Sequence, residues 1–215
     1  MAAMLEHVNQ GGRPCKIITI EDPIESIFKP CHSVFVQREV GVDTPSFEAG
    51  TLDALRQDPD IICIGEMREV ASISAALLAA EMGHLVLTTL HTRDASKTVQ
   101  RIVAAFPQID QEHMREQLAM AMEAVICQEL LPRADGKSRV LATEILIATP
   151  AVRQLIRDNK LDAINDVIQA GMETGMISKD ASIGHLYRKK LITRDSAMQH
   201  MRNPELIDRA IIPGV

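Results

Sequence analysis

The order of apolar and polar residues along the first half of the chain predicts a parallel β-sheet. Its clearest element is the run Ile61–Ile64, which lies without a break between Pro59 and Gly65. A short, uninterrupted run of β-branched residues bounded by turn formers is typical of a strand buried on both faces. Three similar runs predict further strands, the last of them also buried, at residues 16–20, 33–37 and 85–90.

Helical segments separate these strands. A helix is predicted over residues 1–9, and another should begin with Thr44 as its N-cap and Pro45 as its first residue and end near residue 57. Two more helices are predicted over residues 70–82 and, after an Asp94 cap, over residues 95–105. Because strands and helices alternate, the pattern predicts an α/β fold with a doubly wound, mostly parallel sheet.

The second half of the chain follows a different pattern. A long helix is predicted over residues 111–128, followed by two strands at residues 127–131 and 139–147. The Asp135-Gly136 pair between those strands is a hairpin signal. From Thr149-Pro150 onward the pattern is helical and predicts one capped helix over residues 151–160. The predicted domains are therefore an α/β core over residues 1–148 and a small C-terminal helical region over residues 149–215.

Composition restricts the classes of function. The chain has 23 basic and 29 acidic residues, a net charge of −6, and only 2% aromatic residues. These values argue against a broad nucleic-acid footprint and against base stacking. They also disfavour the alternative that the terminal helices, with their Arg188-Lys189-Lys190 run, form a DNA-reading helix-turn-helix. We therefore expect no nucleic-acid partner.

The cysteines and the hydropathy pattern indicate the compartment. The four cysteines are scattered, without a CxxC pair or zinc-ligand spacing. Free thiols of this kind are typical of a reducing cytoplasm. No signal peptide is apparent at the N terminus, and no apolar run has the length of a transmembrane helix. We therefore expect a cytoplasmic protein without a transmembrane segment.

Polar groups follow three of the predicted strands. Glu21 and Asp22 end the first, Glu66 follows the strand Ile61–Ile64, and His91 follows the last. The carboxyl ends of parallel strands meet at one edge of a sheet, where α/β proteins bind ligands. Two carboxylates and an imidazole at that edge could hold Mg²⁺, activate water and detect a γ-phosphate. Each residue by itself could equally be a helix cap or a solvated loop residue.

Five ordered motifs carry a resemblance to a known family. They read TIEDPIE, QREV, DPDIICIGEMR, GHLV…TLHT and AVRQLIRD, at residues 19–25, 37–40, 58–68, 83–92 and 151–158. The first four resemble the Asp box, the segment after it, the Walker B motif and the His box of secretion ATPases. The fifth resembles the C-terminal motif of type IV pilus retraction (twitching-motility, PilT/PilU-like) ATPases. The absence of paired CxxC motifs argues against the pilus-assembly and type II secretion branch.

The resemblance implies a RecA-like P-loop NTPase core and a role for each matching residue. Glu66 would be the catalytic Walker B glutamate, which activates water and contacts Mg²⁺ indirectly through water. Glu21 would assist with water or metal. His84 and His91 would sense nucleotide and couple it to the subunit interface, while Arg68 would act there directly or through charge pairing.

The resemblance also implies a motor. Arg153 and Arg157 would lie on a helix needed for motor output, with an ordinary solvated basic helix face as the alternative. The implied cofactors are ATP and Mg²⁺. The implied assembly is a homo-hexameric ring of full-length subunits, bound to the inner-membrane platform protein of the pilus and therefore peripheral to the inner membrane.

One expected motif is not in the sequence. The family's Walker A loop, GxxxxGK[ST], should precede the first helix, but the only GKS string is Gly136-Lys137-Ser138, inside the predicted hairpin. A P-loop requires a strand, a loop and then a helix. We therefore expect an N-terminally truncated motor subunit that is inactive by itself. The alternatives are a nucleotide-incompetent ring-subunit remnant, which is an interaction module, and a related type II/IV secretion ATPase.

Overall fold

The computed structural model describes residues 1–207, and their contacts divide the chain into two compact units, Met1–His91 and Thr92–Val215. The units are described separately below. Among the described residues, no helix is both long enough and apolar enough to span a membrane.

The unit of residues 1–91 is built on a four-stranded sheet. Its strands are β1 (Lys16–Glu21), β2 (Val34–Glu39), β3 (Ile61–Ile64) and β4 (Leu85–Thr88), in the spatial order β2-β1-β3-β4. All neighbouring pairs are parallel. The helices are α1 (Ala2–Gln10), α2 (Phe47–Ala54) and α3 (Val70–Glu81), and a 3₁₀ turn over Leu55–Gln57 extends α2. This arrangement confirms the predicted α/β class.

Alternation along β1 assigns its residues to two packed faces. Ile17 packs with Leu5 of α1 and with Ile61 and Cys63 of β3, so α1 covers one face. Ile20 points to the other face, where a Cβ on Gly50 of α2 would lie only 3.0 Å from the Ile20 side chain. Glycine at this position therefore allows α2 to lie close to β1.

Two predictions for this unit are wrong in detail. The helix predicted to start at Thr44-Pro45 begins at Phe47, because Ser46 is its N-cap and accepts a hydrogen bond from the backbone N–H of Ala49 at 3.1 Å. The strand at residues 85–90 is shorter and is not buried: β4 lies at the sheet edge, and Leu85 is 46% exposed. An edge strand has a neighbour on one side only, which apolar content alone does not reveal.

The unit that begins at Thr92 is mostly helical around one hairpin. Strands β5 (Ala124–Pro132) and β6 (Arg139–Ile147) pair antiparallel. Up to residue 207 its helices are α4 (Ala95–Ala104), α5 (Gln111–Ala121), α6 (Pro150–Arg157), α7 (Ile164–Ala170), α8 (Lys179–Arg188) and α9 (Arg194–His200). Short 3₁₀ turns occupy Leu161–Ala163, Met172–Thr174 and Pro204–Leu206.

The hairpin confirms some predictions and corrects one. Gly136 has a φ of +69° in the turn, as the Asp135-Gly136 signal predicts, so the Gly136-Lys137-Ser138 string is a hairpin turn and not a phosphate loop. The helix predicted to reach residue 128 ends at Ala121, because β5 takes over from Ala124. Pairing with β6 overrides the helical tendency of that segment.

The cap predictions on either side of the hairpin are confirmed. Asp94 caps α4 by accepting from the N–H of Lys97 at 2.8 Å, and Thr149 caps α6 by accepting from the N–H of Val152 at 3.4 Å. Strands end at Ile147 and helices follow from Pro150. The boundary at residues 148/149 between two domains stays a prediction, since contacts divide the chain at His91/Thr92 instead.

An ion pair between a buried glutamate and an exposed arginine ties the segment just after α9 to β6. The Glu144 side chain is only 1% exposed, and its Oε2 lies 2.9 Å from Nη1 of Arg202. Its Oε1 accepts from the N–H of Ala95, at the start of α4, at 2.9 Å. Asp180, at the start of α8, accepts from the backbone N–H groups of Arg202 and Asn203.

Candidate functional site

The carboxyl ends of β1 and β3 approach each other closely because of a glycine. The N–H of Gly65 donates to the C=O of Ile20 at 2.7 Å. A Cβ on Gly65 would lie 3.2 Å from that oxygen and 3.4 Å from Cα of Glu21. Any larger residue would push the strand ends apart. Gly65 therefore lets Glu21 and Glu66 occupy adjacent strand ends, which confirms their predicted proximity.

The Glu21 carboxylate is held by two neighbours. Its Oε1 accepts hydrogen bonds from Thr19 Oγ1 at 2.6 Å and from Gln37 Nε2 at 3.1 Å. Gln37 also contacts the loop after β1, because its amide donates to the C=O of Ser26 and accepts from the N–H of Phe28. Gln37 therefore fixes both the acid and the loop beside it.

The Glu66 carboxylate faces two basic side chains. Its Oε2 lies 2.8 Å from Nη2 of Arg68 and 3.6 Å from Nε2 of His91. Thr89 links the two strand ends, since its Oγ1 donates to the C=O of Gly65 at 2.5 Å and its C=O accepts from the N–H of Met67 at 3.2 Å. His91, Arg68 and Glu66 thus form one cluster at the ends of β3 and β4.

Both acids line a single cavity of about 240 Å³. Met1, Ala2 and Leu5 line the cavity from the start of α1, and Phe47 lines it from the start of α2. The remaining lining, including Phe28, comes from the ends of β1 and β3 and the loops beside them. The amino end of a helix carries a partial positive charge and unpaired N–H groups, which favour anions. The cavity therefore combines an anion-attracting helix end with two carboxylates.

Cys63, which also lines the cavity, is not a nucleophile. The pKa of its thiol is raised to about 12, mainly by burial and to a smaller extent by the nearby charge of Glu21. At neutral pH almost no thiolate forms, and the thiolate is the reactive species.

His84 lies away from this cluster. It immediately precedes β4, whereas His91 follows it, so the two histidines are at opposite ends of the strand. The Nδ1 of His84 is 2.8 Å from the C=O of Pro59, just before β3. A carbonyl only accepts, so Nδ1 must carry the proton. Any sensing by His84 would therefore be indirect.

Arg153 and Arg157, on α6, differ sharply in their surroundings. Arg153 Nη1 donates to the C=O groups of Ala119 and Met120 at 2.6 and 2.7 Å, and its Nη2 pairs with Glu123 at 2.9 Å. These are the final carbonyls of α5, so Arg153 caps that helix. Arg157 donates from Nε and Nη2 to Oε1 of Gln154, on its own helix, at 3.3 and 3.2 Å. Arg157 is exposed.

The side chains that could ligate a metal determine which kind of metal site is possible here. Over residues 1–207, no cluster of three or more His, Cys, Asp or Glu side chains could hold an ion. Mg²⁺ in phosphate sites commonly takes only one or two carboxylates and completes its shell with waters and phosphate oxygens. Glu66 and Glu21 fit that kind of site, with contacts through water.

Three residues that position the acids were not predicted: Gly65, Gln37 and Thr89. Gly65 was assigned only to the end of a strand, although a glycine directly before an acidic residue is a signal of close backbone approach. Gln37 and Thr89 lie inside predicted strands, and nothing local marks their side chains as supports for a distant carboxylate.

Comparisons with known proteins identify the family of the chain. The family model "Type II/IV secretion system protein" matches residues 1–171. The chain is 47% identical over 205 residues to the twitching motility protein of Neisseria gonorrhoeae, covering 95% of this chain and 54% of that protein. It is 43% identical, also over 205 residues, to the type IV pilus retraction ATPase PilT of Pseudomonas aeruginosa, covering 95% and 59%.

Solved structures agree with this assignment. A crystal structure of the pilus retraction motor PilT with bound ADP matches with a TM-score of 0.87 and 44% identity, over 97% of this chain and 58% of that one. The Legionella pneumophila ATPase DotB matches with a TM-score of 0.82 and 26% identity, over 92% and 55%.

The chain spans little more than half the length of these relatives. Within that span, the family model covers about four-fifths of the chain, and the matched region contains the whole acidic cavity. The chain belongs to the type II/IV secretion system protein family.

Proposed function

We propose that this chain is part of an ATP-hydrolysing motor subunit that powers type IV pilus retraction and twitching motility. The observation that carries the proposal is the placement of Glu66 and Glu21 on adjacent strand ends around one cavity. Support for the direction of the motor comes from 43–47% identity to twitching-motility and retraction proteins, against 26% to DotB. A type II or type IV secretion motor is therefore the less favoured assignment.

In this proposal Glu66 is the general base. Its carboxylate accepts a proton from the water that attacks the γ-phosphate, while Glu21, held by Thr19 and Gln37, orients water beside it. Mg²⁺ bound with the nucleotide would neutralise phosphate charge. Glu66 and Glu21 are the groups that would face the metal through water.

His91 and Arg68 would respond to the nucleotide. Both side chains lie beside Glu66 and are more than half exposed, at 69% and 63%. A bound γ-phosphate would compete with Glu66 for these basic groups, so its presence or loss would change which partner they contact. This exchange would transmit the nucleotide state to a neighbouring subunit of a homo-hexameric ring.

Arg157 is the better candidate for motor output. Its side chain is exposed and donates hydrogen bonds to Gln154 on its own helix, whereas Arg153 supports α5. We propose that Arg157 contacts another subunit or the pilus platform protein of the inner membrane, and that the motor works at the cytoplasmic face.

Activity also requires a phosphate-binding loop, and the 215 residues contain no GxxxxGK[ST] sequence. The direct test uses a protein extended before Met1 by a strand and such a loop, expressed in a piliated strain that lacks its retraction ATPase. Restored twitching, lost again with Glu66→Gln, would support the proposal. Rescue of a secretion defect in a parallel strain, without twitching, would favour the secretion motor.

A further inference from the structure

Two segments in the unit that begins at Thr92 form one surface. The N–H of Ala134, in the β5–β6 turn, donates to the C=O of Leu191, just after α8, at 2.8 Å. Leu131 and Leu186, one from each segment, belong to the same buried hydrophobic cluster. The turn and the C-terminal end of α8 are therefore held against each other.

This surface is strongly basic, although the chain as a whole carries a charge of −6. Over residues 131–139 and 185–195 the acidic residues are Asp135 and Asp195. We define the basic patch by the seven basic residues of these segments: Arg133, Lys137, Arg139, Arg188, Lys189, Lys190 and Arg194. Arg133 pairs with Asp135 at 3.4 Å.

Most of the patch has no internal counter-charge. Arg139, Lys137 and the Arg188-Lys189-Lys190 run are all exposed. Within residues 1–207, none of these five forms an ion pair. Their field reaches His185, whose pKa is lowered by burial and then by the charges of Lys189 and Arg188.

Helix capping explains only part of this arrangement. Arg188 and Lys189 complement the negative end of the α8 dipole. Lys190, however, has a φ of +56° at the position that closes the helix, where the N–H of Leu191 bonds to the C=O of Leu186. Glycine is favoured there, because other residues are strained in the left-handed region. Neither capping nor backbone geometry calls for a lysine, and neither explains the basic turn.

We propose that the basic patch binds the surface of an anionic phospholipid bilayer. Clusters of four to eight lysines and arginines on a protein surface favour anionic headgroups, because many weak contacts add up without a shaped pocket. A protein partner would call for apolar or aromatic anchors. Apart from the acidic Asp135 and Asp195, the exposed residues of these two segments are basic, small or uncharged polar. The aromatic Tyr187 packs against the buried hydrophobic cluster. Single-stranded nucleic acid would call for aromatic platforms, which these exposed residues do not offer.

The proposal concerns the unit that begins at Thr92 and does not depend on ATP hydrolysis. The test is flotation of the 215-residue chain with vesicles of phosphatidylcholine alone or mixed with phosphatidylglycerol. We expect binding only to the mixed vesicles, with release as NaCl rises from about 0.05 M to about 1 M, where the Debye length falls from more than 10 Å to about 3 Å.

Variants from both segments test the site. Lys137→Ser in the turn and Lys190→Gly after α8 should each weaken vesicle binding about fivefold, and more together. Because glycine relieves the strained backbone at residue 190, Lys190→Gly should keep or raise the melting temperature, so lost binding would not reflect unfolding. Lys29→Ser removes the same charge from an exposed position in the other unit and should leave binding unchanged.

Several results would overturn the proposal. Equal binding to phosphatidylcholine vesicles would assign the interaction to apolar contacts. An equal loss with Lys29→Ser would assign it to net charge and not to the patch. If the chain bound a single-stranded oligonucleotide or a poly-glutamate peptide but not the vesicles, the patch would be assigned to a different class of partner.

Discussion

The Nη2 atom of Arg68 lies 2.8 Å from Oε2 of Glu66, so the proposed general base is paired with a cation on its own loop. The arginine side chain is 63% exposed, whereas the glutamate is only 25% exposed. Arg68 therefore contacts Glu66 from the side that faces solvent, where the arginine side chain has room to move toward a bound phosphate. This geometry suits a site that changes partners during a cycle.

Because water screens the arginine, the pair should contribute little to folding. We expect Arg68→Ala to lower the free energy of unfolding of the 215-residue chain by less than about 1 kcal/mol, as exposed ion pairs usually do. Urea unfolding followed by circular dichroism measures it. A loss above about 2 kcal/mol would mean that Arg68 organises the loop after β3.

Removal of Arg153 should be more damaging than removal of Arg157. Arg153 satisfies two terminal carbonyls of α5 and pairs with Glu123, whereas Arg157 contacts Gln154 on its own helix. Loss of charged hydrogen bonds of this kind typically costs about 1–3 kcal/mol. We expect Arg153→Ala to lower the melting temperature clearly, and Arg157→Ala to serve as the matched control with little change. Equal melting temperatures would show that the α5 cap is dispensable.

The largest loss of stability is expected for Arg202→Ala. Glu144 would then remain buried beside the start of α4 without its guanidinium partner. Because Arg202 itself is exposed, the loss should be smaller than the roughly 3–5 kcal/mol typical of a fully buried pair, at about 2–3 kcal/mol. Glu144→Gln, which keeps the acceptor for the Ala95 N–H, should be milder. Chemical denaturation of both variants tests this order, and a loss below about 1 kcal/mol for Arg202→Ala would refute it.

These contacts show which features could be predicted from the sequence. The strand Ile61–Ile64 and the Asp94 and Thr149 caps were predicted correctly because their signals are local. The Glu144–Arg202 pair joins residues 58 positions apart, and no periodicity reveals it. The predicted start of α2 was wrong for a different reason. Thr44-Pro45 and Ser46 are competing cap signals, but Thr44 pairs with Val40 in an isolated β-bridge, and Ser46 caps the helix.

The candidate site could likewise be predicted only in part from the sequence. Acidic residues at the ends of two predicted strands indicated Glu21 and Glu66, because parallel strands align their carboxyl ends. The motif resemblance grouped His84 with His91, but the strand between them separates the two. The strand predicted at residues 85–90 also begins directly after His84, so the strand pattern already indicated this separation, whereas the motif resemblance did not.

By itself, the 215-residue chain should bind Mg-ATP weakly or not at all. Phosphate positioning in P-loop enzymes depends on the loop backbone, its lysine and its hydroxyl ligand to Mg²⁺. Two carboxylates near a triphosphate also repel it, by about 1 kcal/mol per close pair even in water. Isothermal titration calorimetry tests this expectation. Micromolar binding with turnover would show that another part of these residues holds the phosphates.

The most direct test of the proposed chemistry is the steady-state ATPase rate of the protein extended by a GxxxxGK[ST] loop, measured for the parent and for Glu66→Gln. The amide keeps the shape of the side chain but cannot take the proton from water, so the rate should fall by about 10²–10⁴-fold while ATP binding persists. Glu69→Gln, the same change at an exposed position three residues later, should leave the rate near that of the parent. A Glu66→Gln rate within a few-fold of the parent would show that Glu66 is not the base.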